Sequence, residues 1–120
     1  MLLIFTACDD NSITGRDPEE DASFKTHVLP IFEDNCTFCH SSDSPQNGVA
    51  LDSYQAVMQS VGQQYGRSVV EPGDADASPI YNKINPNPQH GVRMPFESTP
   101  LSDNQIETIR DWINDGAPNN

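Results

Sequence analysis

The chain is poor in cations, in apolar residues and in long hydrophobic runs, and each shortage excludes something. Six Lys and Arg stand against 18 Asp and Glu, a formal net charge of −12. A surface this acidic repels nucleic acid and anionic lipid. It suits a protein partner with a basic face, or simply keeps the chain solvated. Hydrophobic residues make up 35% of the sequence and aromatics 8%, with one Trp, below the usual globular share. A chain of 120 residues is one domain's worth, but these residues alone build a thin core. The apolar stretch Met1-Leu2-Leu3-Ile4-Phe5-Thr6-Ala7 is far too short to span a bilayer. There is no internal repeat and no βαβ pattern.

Cysteine is also scarce, and two of the three stand together in Cys36-Thr37-Phe38-Cys39-His40. C-x-x-C-H is the attachment sequence for a c-type haem. The thiols of Cys36 and Cys39 add to the two haem vinyl groups as thioethers. A spacing of three is about one helical turn, so both sulfurs face one way. His40 then lies under the ring, where an imidazole nitrogen reaches the iron. Covalent haem with a proximal His points first to electron transfer. The rivals fit less well. A redox dithiol wants a nearby βαβ pattern. A structural zinc site needs a fourth ligand, and adjacent Cys39 and His40 suit a tetrahedron poorly. A Cys36–Cys39 disulfide would leave His40 without a role. A haem also supplies core material that the polypeptide lacks, so the haem-free chain is expected to fold poorly.

The third cysteine, Cys8, ends the N-terminal apolar stretch. Thr6 and Ala7 before it resemble a bacterial lipobox, although Phe5 stands where Leu is usual and no positive residue precedes the run. Residues 1–8 therefore read as a lipoprotein signal and anchor, with Cys8 lipidated, on the periplasm-facing side of a bacterial cell envelope. That location agrees with the haem motif, because c-type maturation happens outside the cytoplasm. Residues 9–22 carry six acids and almost no apolar side chain, and read as a disordered tether. The domain is expected to occupy residues 23–120.

Within it, Ser23 caps a first helix whose apolar face is Phe24, Val28, Ile31 and Phe32, and Pro30 must kink or break it. Residues 41–50 are polar and turn-rich. Asp52 reads as the cap of a short helix. Ser78-Pro79 starts another, with Ile80, Tyr81 and Ile84 facing inward. Residues 85–100 hold four prolines and read as an irregular loop. Ser102 caps the last helix, with Gln105 at its third position. Its stripe is Ile106, Ile109, Trp112 and Ile113, and Gly116 and Pro118 stop it.

His40 leaves one iron position to fill, and the candidates are Met94, Met58, His90 and His27. Met94 lies in the proline-rich loop, 54 residues after His40, and Pro95 holds it extended. A loop of this kind reaches over the opposite haem face. Met58 reads as core filler on a helix, His90 as a solvent-facing loop residue and the main rival, and His27 as a surface residue. A thioether is a soft, weak donor, so His/Met ligation raises the reduction potential and leaves no open site for oxygen or peroxide. Arg93 stands beside Met94 and is a candidate partner for a haem propionate.

The order of these motifs resembles a class I cytochrome c, the single-haem His/Met type, in a branch often found as bacterial lipoproteins. The likeness covers residues 23–117. It runs from Cys36-x-x-Cys39-His40 through Gly48-Val49-Ala50-Leu51, Val70-Glu71-Pro72-Gly73 and Met94-Pro95 to Trp112-Ile113-x-x-Gly116-Ala117. It implies an all-α fold with long irregular loops, its N- and C-terminal helices packed around one covalent haem c. It also implies Cys36 and Cys39 as thioether residues, His40 as proximal and Met94 as distal ligand. The reading is an envelope-anchored electron carrier rather than an enzyme. The alternative is a haem-based ligand-binding or sensor module with an exchangeable sixth site. A peroxidase-like activity is disfavoured, since His90 is the only candidate acid–base residue.

Overall fold

The structure, a computed structural model, describes residues 16–17 and 19–120. The anchor reading for residues 1–8, Cys8 included, and the tether as far as residue 15 lie outside them. Among the described residues, four short α-helices and two minimal β-hairpins are joined by long irregular segments. The helices are α1 (Leu29–Asn35), α2 (Tyr54–Gln59), α3 (Pro79–Ile84) and α4 (Asp103–Asn114). The hairpins pair β1 (His40–Ser41) with β2 (Ser44–Pro45), and β3 (Val61–Gly62) with β4 (Arg67–Ser68), both antiparallel. Among the described residues no helix is long and apolar enough to cross a membrane.

The first helical segment is not uniform. Residues Phe24–Val28 form a π-turn that leads directly into α1. The Leu29 N–H bonds back to the Phe24 carbonyl, a wide i→i−5 step. Pro30 explains it. It has no N–H to give, and its ring collides with the carbonyl four residues back in an ordinary α-turn. Widening the turn relieves both problems, so the chain stays helical through Pro30. The turn also buries His27, which the sequence placed on the surface. His27 Nδ1 accepts the Ser23 backbone N–H at 2.9 Å, and its Nε2 lies 3.3 Å from Glu20.

The core sits where this segment meets α4. Phe24 packs on Trp112 and on Tyr54, each at 5.3 Å between ring centres, tilted against the first and edge-on to the second, at the separations aromatic pairs prefer. Val28, Ile31, Phe32, Ile109, Trp112 and Ile113 are fully or almost fully buried. The polar ends of these rings are satisfied locally. Trp112 Nε1–H donates to the Pro118 carbonyl at 2.9 Å, and the Tyr54 hydroxyl to the Ala117 carbonyl at 2.7 Å. These bonds hold the C-terminal tail, which turns back after Gly116 (φ +103°) and reaches the first helix. There Asn120 Oδ1 accepts the Phe24 N–H at 2.8 Å.

The caps of α4 match the sequence reading. Ser102 Oγ accepts from Gln105 N–H at 3.1 Å, and Gln105 Oε1 accepts from Ser102 N–H at 2.9 Å, a complete capping box. The cap of α2 is displaced by one residue. Ser53, not Asp52, accepts the Ala56 N–H. The Asp52 carboxylate is taken by Ser42 instead, through its N–H and its hydroxyl, both at 2.8 Å.

The acidic stretch before the domain does not hang free over its described part. The Arg16 main chain pairs with the Asn104 amide through bonds of 2.8 and 2.9 Å. Its guanidinium reaches Asp111 at 2.5 Å and the Glu20 carbonyl at 2.6 Å, and Ala22 is buried. Arg16 is the one cation in a run of acids, and it finds an acid on α4.

Candidate cofactor cleft

The Cys-x-x-Cys-His segment leaves α1 as a tight turn. Cys36 N–H bonds to the Phe32 carbonyl at 2.7 Å, and the Cys36 carbonyl accepts from Cys39 at 3.1 Å and from His40 at 2.9 Å. Helix-type bonds thus bracket the motif, as its spacing requires. Both thiols are free. Cys36 is buried enough that desolvation, with a smaller contribution from Cys39, pushes its thiol up to about 12, so it stays protonated at neutral pH. Phe38, between the cysteines, is almost fully exposed. Among the described residues, no group of three or more His, Cys, Asp or Glu side chains forms a metal cage.

Cys36, His40 and Met94 line one cleft. It is a cleft partly open to solvent. Its walls are largely apolar, built from Val49, Leu51, Val69, Pro79, Ile80 and Ile84. They come from the segment after the hairpin β1–β2, from the strand exit after β4, and from α3. Cys39 is half-buried beside this wall and does not line it.

His40 is oriented from behind. Its Nδ1 lies 3.1 Å from the Gln46 carbonyl oxygen and 3.3 Å from that of Val49. Carbonyl oxygens only accept, so Nδ1 carries a proton, and in the neutral ring Nε2 is the nitrogen left to bind a metal. The chain reaches these carbonyls through a turn at Asn47 (φ +56°) and Gly48 (φ +80°). Leu51 N–H closes it on the His40 carbonyl at 2.7 Å.

The proline-rich loop is placed by the last turn of α3, at successive residues. Asn82 Oδ1 accepts the Gln89 N–H at 2.8 Å. The Lys83 carbonyl accepts the Met94 N–H at 2.9 Å, and Lys83 Nζ donates to the His90 carbonyl. The Ile84 carbonyl accepts from Arg93 Nε at 3.0 Å. A loop with few regular bonds of its own is thereby fixed, and Met94 reaches the cleft. Its neighbours do not. His90 is exposed, with its ring edge-on to Tyr65 at 4.7 Å. Arg93 points the other way, into a second, polar groove with Asp103, Glu107 and Arg110. It is therefore not positioned for a carboxylate in the Met94 cleft. Met58 packs at the margin of the core, as expected of filler.

The sequence reading missed Lys83, the only Lys or Arg lining the cleft among the described residues. Its signal was available, because it lies three residues after Ile80 on the same helix and so shares that face.

These residues fit a covalently held haem. Two free thiols stand at a helix end, an imidazole is fixed through its Nδ1, a thioether lines the same cleft, and the walls are apolar. A family model described as Planctomycete cytochrome C matches residues 36–97, just over half of the chain, from Cys36 past Met94. No curated protein and no solved structure matches the chain.

Proposed function

The chain belongs to the Planctomycete cytochrome C family, and from that premise we propose that it is a single-haem electron carrier with His/Met ligation. Family membership implies a covalently bound haem c and electron transfer. The finer reading rests on one observation, that Cys36, His40 and Met94 line the same apolar cleft. A bound haem supplies reversible one-electron chemistry at its iron. Cys36 and Cys39 would hold it by thioether bonds. His40 would present Nε2, with its ring fixed by the Gln46 and Val49 carbonyls. Met94 would present its thioether from the same cleft, a soft donor that favours the reduced metal. The apolar walls would limit the solvent rearrangement that accompanies a change of charge.

The wider setting of the proposal is the bacterial envelope, with Cys8 lipidated and the domain facing the periplasm. The net charge of −12 favours redox partners with a basic face. The reading is tested by Met94→Ala in protein expressed with c-type maturation. The expected result is a lower reduction potential and ready carbon monoxide binding by the ferrous form. An unchanged spectrum and potential would remove Met94 from the iron.

A further inference from the structure

We propose that Lys83 is the positioning residue that keeps Met94 over the cleft, and that Gly91 is required beside it. The inference rests on reading Met94 as an iron ligand. Lys83 grips the proline-rich loop at two points. Its carbonyl accepts the Met94 N–H at 2.9 Å, and its ammonium donates to the His90 carbonyl. The side chain is half-buried in the cleft wall, and among the described residues it forms no ion pair with a carboxylate. An ammonium taken partly out of water to hold one backbone oxygen is a charge-assisted bond, stronger than a neutral one.

The loop is shaped to admit it. Gly91 has φ +68°, and a Cβ there would stand 2.6 Å from Lys83 Nζ and 3.1 Å from Gln64 Oε1. The loop thus passes the Lys83 ammonium and the Gln64 amide at a residue without a side chain.

The two grips are not equivalent. Any residue at position 83 offers the carbonyl, but only a long cation reaches His90. Without the ammonium, the first half of the loop is held by the Asn82–Gln89 bond and the Tyr65–His90 ring contact. The loop then opens more often, and the thioether spends more time away from its place in the cleft.

The test uses haem-loaded Lys83→Met and Gly91→Ala, with Met94→Ala alongside. Lys83→Met keeps the aliphatic stem and removes the charge. Gly91→Ala keeps the charge and displaces it. The readouts are the long-wavelength sulfur-to-iron absorption of oxidised protein and carbon monoxide binding by reduced protein, with far-UV circular dichroism to confirm folding. Both variants are expected to weaken the band and to let the reduced protein bind carbon monoxide where the wild type does not respond, because loss of one charge-assisted bond raises the open population of the loop about tenfold or more. If one variant does not fold, the other decides. Wild-type behaviour in the folded Lys83→Met and Gly91→Ala proteins, while Met94→Ala loses the band, would overturn the role of Lys83 and leave the ligand intact. An unchanged band in Met94→Ala would overturn the ligand reading and, with it, this one.

Discussion

His40 Nδ1 faces the carbonyl oxygen of Gln46 at 3.1 Å, and that contact decides which ring nitrogen is left to bind a metal. It depends on the turn at Gly48, where φ is +80° and a Cβ would stand 2.8 Å from the Val61 carbonyl. Gly48→Ala is therefore expected to destabilise the protein by about 1–3 kcal/mol. It should also raise the reduction potential, because a weaker Nδ1 bond makes the imidazole a poorer donor. Urea unfolding and a redox titration of the haem-loaded variant check both. No change in either would mean that the turn does not hold His40.

Trp112 of α4 is fully buried and packs on Phe24 of the π-turn. Trp112→Ala is expected to cost about 3–5 kcal/mol, read as a lower guanidinium midpoint. It also removes the donor to the Pro118 carbonyl, so the C-terminal tail should lose hydrogen-exchange protection. A midpoint near wild type would contradict the packing described.

Arg16→Ala should free the segment before the domain without touching the cleft. The loss is expected to be about 1–2 kcal/mol, since Asp111 stays partly exposed and keeps Arg110 as a partner. Limited proteolysis should show faster cleavage in residues 17–23, with unchanged absorption of the loaded protein. Equal cleavage in both proteins would mean that the clamp does not hold in solution.

The Asp52 carboxylate is held below its ordinary value of 3.8, first by the Ser42 N–H and then by the Ser42 hydroxyl. A lowered folded value means the contribution is fully present above the ordinary value and is lost as pH falls through the folded one. The stability gap between wild type and Asp52→Ala should thus be constant near neutral pH and close at acid pH, below the ordinary carboxylate value. Urea midpoints across that range check it. A gap that stays open in acid would assign the effect to something other than the charge.

Much of the site was legible because its chemistry is local. Cys36, Cys39 and His40 are fixed by spacing within five residues, and α4 announces itself through a capping box and an apolar stripe. What escaped depends on distant partners. Arg16 was submerged in a run of acids, and nothing nearby shows that Asp111 waits for it. Asp52 is a reasonable cap until Ser42 claims its carboxylate. His27 appeared polar and exposed because an ordinary helical wheel does not include the π-turn that Pro30 imposes. Arg93 is adjacent to Met94 in sequence but leaves on the opposite side of the loop, toward α4. The two hairpins have two-residue strands, too short to show alternation.

The most direct test of the account is the optical spectrum of the wild-type protein expressed with c-type maturation, oxidised and then reduced, with and without carbon monoxide. The account predicts a covalent haem with sharp low-spin reduced bands, a weak long-wavelength sulfur-to-iron band when oxidised, and no response to carbon monoxide. A high-spin spectrum, or ready carbon monoxide binding, would contradict it and give the lead to a ligand-binding or sensor role.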